Sequence, residues 1–177
     1  KKKEKKYRLL IDFNKKNKIV SIKKKFLSEE IFKNNYPYRS SISKTMKKSF
    51  KDLSSIIKKK FKSEKILEIG CNDGVFLENF DNKKTVGIEP CKNIAKLSKK
   101  KNLNVLSEYW TKKLSNKIKK KYGKFDIIFS ANTITHIKNY DEVFNSVNNV
   151  LNDNGVFIIQ DPSLLKLIKK NAYDQFY

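Results

Sequence analysis

The chain has 177 residues, enough for one domain that folds on its own apolar core and too few for two full domains. Two cysteines, Cys71 and Cys91, speak against a secreted disulfide framework and for a reducing cytoplasm; no apolar run reaches the roughly 20 residues of a membrane span, and the lysine-rich start lacks a signal-peptide core. The formal charge is +23, from 41 Lys+Arg against 18 Asp+Glu, but it is nearly all lysine, spread along the chain with abundant asparagine, isoleucine and phenylalanine. Those are residues of A/T-rich codons, so base composition accounts for the bias and no specific nucleic-acid partner is expected; attraction of RNA or a phosphorylated substrate is the alternative.

In chain order, lysine clusters alternate over residues 1–25 with Leu9-Leu10-Ile11 and Ile19-Val20-Ser21-Ile22, short enough to predict a two-stranded hairpin, and residues 1–35 read as an appendage. Ser28-Glu29-Glu30 before Ile31-Phe32 predicts a short capped helix, and Pro37 an extended segment around it. Met46, Phe50, Leu53, Ile57 and Phe61 recur at three- and four-residue steps, which predicts a helix over 43–61 with one buried face. From Lys65 onward short apolar runs alternate with amphipathic segments, predicting strands at 65–69, 85–89, 104–107, 125–130 and 155–160. Helices are expected near 75–80, 91–101, 110–121, 140–151 and 163–171. The fold class is therefore α/β over 36–177: a Rossmann-like, mostly parallel sheet with helices on both faces. The lysine runs at 58–60, 99–101 and 119–121 fall near helix ends, where solvated charge is the ordinary reading.

The most informative stretch is Ile66-Leu67-Glu68-Ile69-Gly70-Cys71-Asn72-Asp73-Gly74, an apolar strand that ends in a glycine-bracketed turn at the sheet edge where open α/β folds bind ligands. The next strand, Thr85-Val86-Gly87-Ile88-Glu89, ends in a carboxylate about 20 residues later, placed to accept from both ribose hydroxyls. Neither a dinucleotide G-x-G-x-x-G nor a phosphate loop occurs. A ligand with a ribose and a cationic amino-acid tail but no phosphate, as in S-adenosylmethionine, suits the acidic turn with Glu68 and Asp73. The competing readings are a glycine turn of purely structural use and a helix-capping or loop-bracing Glu68.

Together, Leu67-Glu68-Ile69-Gly70-Cys71-Asn72-Asp73-Gly74, Gly87-Ile88-Glu89-Pro90, Ala131-Asn132-Thr133-Ile134-Thr135-His136-Ile137 and Gln160-Asp161-Pro162 resemble the nucleotide-deoxysugar C-methyltransferases, as do Tyr36-Pro37-Tyr38-Arg39-Ser40-Ser41-Ile42-Ser43 and Ala172-Tyr173-Asp174-Gln175-Phe176-Tyr177. The resemblance implies a class I methyltransferase fold and methylation of a carbon beside the ketone of a nucleotide-linked 4-keto sugar. It implies S-adenosylmethionine contacts at Glu68, Gly70, Asn72, Asp73, Gly74, Glu89, Pro90, Asn132, Ser41 and Met46. His136 is implied as general base or its partner, and Tyr36, Tyr38 and Tyr177 as groups lining the sugar site and able to donate to an enolate oxygen. A loop-bracing histidine and packing tyrosines are the competing readings of the same residues.

Two departures from that family bear on the expectations. Asn14-Lys15-Lys16-Asn17 stands where the family carries a second Cys-x-x-Cys pair, so no structural zinc is expected and 1–35 reads as a remnant of that metal-binding domain. The family also continues beyond the terminal tyrosine with an Asp-Glu-His triplet and a C-terminal domain. The chain therefore reads as a fragment, expected to turn over poorly by itself. A methyltransferase for RNA or protein, or a non-catalytic cofactor-binding remnant, are the alternative functions.

Overall fold

The computed structural model describes residues 8, 10–23, 31–32, 35–61 and 65–172. The capped turn expected at 28–30 and Tyr177 lie outside them. The chain divides into two compact units, residues 28–161 and residues 1–27 with 162–177.

In the smaller unit, β1 (Ile11–Asn14) and β2 (Ile19–Ile22) form an antiparallel hairpin that pairs Ile11 with Ile22. The first strand starts two residues later than the sequence predicts. The turn fixes this register: the Asn14 side chain accepts from the amides of Lys16 and Asn17, and the Asn17 side chain from that of Ile19. The asparagines of the turn thus close the hairpin themselves. A short helix, Leu164–Lys169, completes the described part of this unit.

The larger unit opens with helix α1 (Lys44–Lys60), whose first turn is capped by the Ser43 hydroxyl accepting from the Met46 amide at 3.2 Å. Then follow β3 (Ile66–Ile69), β4 (Thr85–Ile88), α2 (Lys92–Lys100), β5 (Val105–Leu106), α3 (Lys112–Tyr122), β6 (Phe125–Ala131), α4 (Tyr140–Val150) and β7 (Leu151–Gln160). The five strands are parallel in the order β5-β4-β3-β6-β7. From β3 the chain works outward to β5 and then returns to β6 on the other side of β3. The direction of winding therefore reverses between β3 and β6, which opens a crevice beyond their carboxyl ends.

Two-residue alternation along the strands sorts the core. Leu67, Ile69, Val86, Ile88 and Ile128 face α3 and α4, while Ile66, Ile127 and Phe129 face α1 and the segment 75–77. Phe129 packs against Phe76 in a tilted pair with 4.1 Å between ring centres and meets Phe50 of α1 edge-on at 5.8 Å.

The helix expected over 75–80 is instead a single 3-10 turn, Leu77–Asn79. Val75, Phe76 and Leu77 are buried in succession, which no one-sided helix allows, and the Asn79 amide group caps the segment by donating to the Val75 and Phe76 carbonyls. The helix expected from 110 begins at 112, because the Thr111 hydroxyl accepts from the Leu114 amide and caps it there. Tyr109 and Trp110 are thereby left in the preceding loop. The strand expected at 155–160 starts at Leu151, where the chain leaves α4 already extended and Asn152 donates to Asp126 at 2.6 Å. Among the described residues no helix is long and apolar enough to cross a membrane.

Candidate functional site

Four loops meet at the crevice: 70–74 after β3, 89–91 after β4, 107–111 after β5 and 131–137 after β6. The first turns back sharply because Gly70 and Gly74 have φ of +75° and +84° and Asn72 has φ +48°, a conformation asparagine tolerates better than most residues. A methyl group on Gly70 would strike the Thr133 side chain, so loop 131–137 lies directly against the turn. The amides of Gly70 and Cys71 both donate to the Ile88 carbonyl, at 2.8 and 2.9 Å, which joins the turn to the end of β4.

Glu89 stands at that end, 5% exposed. One carboxylate oxygen accepts from the Asn72 amide at 3.0 Å and the other from the Cys91 amide at 2.8 Å. The Cys91 thiol also lies against this carboxylate, which keeps acceptor capacity for one further donor. Burial raises the Glu89 pKa, and the hydrogen bonds from Cys91 and Asn72 oppose the rise. Pro90, half buried, follows it.

Glu68 lies deeper, 2% exposed, and its Oε2 has no hydrogen-bond partner among the described residues. Its pKa is pushed well up, first by burial and then by the neighbouring charges of Glu89 and Asp73. Both thiols beside this cluster are driven up too: Cys71 mainly by burial, and Cys91, by burial and Glu89, to about 12. Lys101 answers the negative charge. Its ammonium donates to the Asp73 carbonyl at 2.7 Å, pairs with Glu78 at 2.7 Å and lies 4.0 Å from the Asp73 carboxylate. Of the run 99–101, then, Lys101 is no solvated charge but a brace of the turn. Nothing local in the sequence marks it.

A stability prediction follows from Glu68. With its folded-state pKa above the unfolded value, the folded chain binds the extra proton, so stability is lost as pH rises from the ordinary carboxylate range toward the raised pKa. Glu89 contributes with the same sign. Urea titrations between about pH 4.5 and 8 should show this decline in the wild type and a flatter profile in Glu68→Gln. An unchanged slope would mean that Glu68 does not carry the buried charge.

His136 ends a 3-10 turn, Ile134–His136, in the loop after β6. Its ring meets Phe32 edge-on at 5.2 Å, and Phe32 in turn touches the Tyr36 ring at 5.5 Å. The Tyr109 hydroxyl donates to the Phe32 carbonyl at 3.0 Å. Burial lowers the His136 pKa, which favours the neutral imidazole, the form that accepts a proton. His136 and Tyr36 thus flank one phenylalanine. Phe32 and Tyr109 complete the cluster without having stood out in the sequence, since each reads as an ordinary packing residue.

Of the remaining site residues, Tyr38 is 48% exposed and makes no ring contact with this cluster among the described residues. Met46 packs against the core near Phe50. Asn132, with φ +49°, donates its amide to the Gln160 carbonyl at 2.7 Å, which fastens the start of the loop to the end of β7. The side chains of Asn72 and Asp73 reach residues 38–41: Ser40 and Ser41 donate their amides to Asn72 Oδ1 and Asp73 Oδ1 at 2.9 and 3.1 Å.

A family model described as a methyltransferase domain matches residues 38–177. The C-methyltransferase NovU of Streptomyces niveus is 26% identical over 114 residues, 63% of this chain and 27% of that protein. Among solved structures, the PH0226 protein from Pyrococcus horikoshii OT3 matches with a TM-score of 0.59 and 19% identity, covering 76% of this chain and 62% of that one. The plantazolicin methyltransferase BamL, solved in complex with S-adenosylhomocysteine (SAH), gives 0.56 and 20%, covering 77% and 58%. An S-adenosylmethionine-dependent methyltransferase from Clostridium acetobutylicum ATCC 824 gives 0.50 and 21%, covering 67% and 51%. The chain therefore spans about a quarter of the curated relative and half to three fifths of these solved chains, and they share its Rossmann-like class I fold.

Proposed function

This chain belongs to the methyltransferase domain family, and on that footing we propose that it binds S-adenosylmethionine across the ends of β3 and β4 and serves methylation of a carbon beside a ketone. The observation that carries the reading is Glu89: a buried carboxylate held by the Asn72 amide of the glycine turn and the Cys91 amide ahead of α2, with acceptor capacity left for a ribose hydroxyl. The acidic set fits the cofactor's charge. Glu68 has a buried, unpartnered oxygen, and a cation in the crevice would favour the ionised forms of Glu68 and Glu89 that burial now disfavours.

Glu89 would hold the ribose and the backbone of 70–74 the amino-acid end. When bound, S-adenosylmethionine supplies an electrophilic methyl group on a sulfonium. The chain's own part is proton chemistry and positioning. Neutral His136 accepts the proton from the carbon next to the ketone at a ring nitrogen, and the Tyr36 hydroxyl donates to the enolate oxygen that forms. Phe32 and the half-buried loop keep water from the imidazole.

For the acceptor we propose a nucleotide-linked 4-keto deoxysugar, supported by the motif resemblance and by the likeness to a C-methyltransferase, and for the location the cytoplasm, where the buried free thiols Cys71 and Cys91 stay reduced. The test is transfer of labelled methyl to a thymidine-diphosphate 4-keto-deoxyhexose by the protein in its full reading frame, with total RNA as the competing acceptor. Labelled sugar is the expected result; label confined to RNA would overturn the sugar assignment.

A further inference from the structure

The turn that carries the proposed cofactor site also holds the segment that carries the tyrosines. Three hydrogen bonds join them, and a fourth ties the same segment to α2. Asn72 Oδ1 accepts from the Ser40 amide at 2.9 Å, its Nδ2 donates to the Tyr38 carbonyl at 3.4 Å, Asp73 Oδ1 accepts from the Ser41 amide at 3.1 Å, and Asn93, in the first turn of α2, donates to the Tyr36 carbonyl at 2.8 Å. Other groups keep the turn itself in place: the Ser98 hydroxyl donates to the Asn72 carbonyl and Lys101 to that of Asp73. The Asn72 and Asp73 side chains are therefore not spent on the shape of the turn. Ser40 and Asp73 are buried, so the bonds to the Ser40 and Ser41 amides are partly shielded from water, while that to the Tyr38 carbonyl is exposed.

We infer that Asn72 and Asp73 are positioning residues that latch residues 36–41 to the cofactor turn, so that Tyr36 is set for the acceptor only when the turn is formed. The inference rests on the methyltransferase reading for its functional half; the latch itself is a matter of the amides. Because one turn would both carry the cofactor and hold the latch, ordering it with ligand steadies residues 36–41 as well, and by linkage a fixed segment favours the ligand.

The test needs variants that keep the backbone. Asn72→Gly keeps the φ of +48° without strain and removes both side-chain bonds. Asp73→Ala removes the other acceptor, whereas Asp73→Asn keeps it. Ser40→Pro deletes one N–H at the first position of a 3-10 turn that follows an extended Arg39, a context that accepts proline. Hydrogen exchange should show the Ser41 amide about ten-fold less protected in Asp73→Ala and the Ser40 amide likewise in Asn72→Gly, with Asp73→Asn near wild type and the amides of β3 and β6 unchanged in all. S-adenosylhomocysteine should slow exchange at Ser40 and Ser41 in the wild type and not in the Asn72→Gly, Asp73→Ala double variant. In turnover assays Asn72→Gly, Asp73→Ala and Ser40→Pro should raise the acceptor KM by more than they lower kcat. Unaltered protection of Ser40 and Ser41 in the variants would overturn the latch. Wild-type chain that protects these amides but ignores S-adenosylhomocysteine would overturn the cofactor reading and leave the latch standing.

Discussion

Replacing His136 by alanine is expected to slow methyl transfer by about two to four orders of magnitude, the usual contribution of a general base, while cofactor affinity stays within a few-fold. The loop after β6 holds the imidazole at the crevice, Phe32 covers one edge of it, and burial keeps it neutral below the ordinary histidine range. A neutral base loses activity only when it is protonated. The acid limb of kcat/KM should therefore fall below the ordinary histidine pKa, and Phe32→Ala, which admits water, should move that limb upward. Single-turnover transfer of labelled methyl in wild type, His136→Ala and His136→Asn checks this. Wild-type rates in both histidine variants would remove His136 from the chemistry.

Phe129→Ala should destabilise the fold by about 3–5 kcal/mol, the range for deleting a fully buried aromatic ring. Phe129 is 0% exposed in the middle of β6 and joins Phe76, beside the glycine turn, to Phe50 of α1. The surrounding strands cannot collapse onto the space, because β3 and β7 hold β6 in register on both sides. Domain stabilities are commonly about 5–15 kcal/mol, so a loss of this size removes a large share of the whole. Phe13→Ala on the exposed face of the hairpin should cost about 0.5 kcal/mol or less. Urea denaturation of the two variants separates them; a Phe129→Ala loss near that of Phe13→Ala would mean that the aromatic column is not the core.

The parallel sheet was legible because period and punctuation agreed. Ile66 to Ile69 and Phe125 to Ala131 are apolar runs followed by turn residues, and the glycines and Glu89 fall at strand ends, where backbone freedom and charge are needed. Element edges were less legible where side chains decide them. Thr111 moved a helix start by capping it, Asn79 curtailed a helix by capturing carbonyls, and Asn14 with Asn17 set the hairpin register. The site's long-range partners could not be read from spacing. Lys101 reaches back 28 residues to Asp73, Tyr109 reaches 77 to Phe32, and Asn72 reaches 32 to Ser40. Such contacts come from how the layers stack, for which local pattern carries no signal.

The central claim is that the β4 carboxylate, fastened to the glycine turn, binds the ribose of S-adenosylmethionine. Calorimetric titration of S-adenosylhomocysteine into wild type, Glu89→Gln and Glu89→Ala tests it most directly. Saturable one-to-one binding is expected in the wild type, weakened by about 1.5–3 kcal/mol in Glu89→Ala as charge-assisted bonds are lost, with Glu89→Gln in between. Equal affinity in all three proteins, or no binding by the wild type, would contradict it.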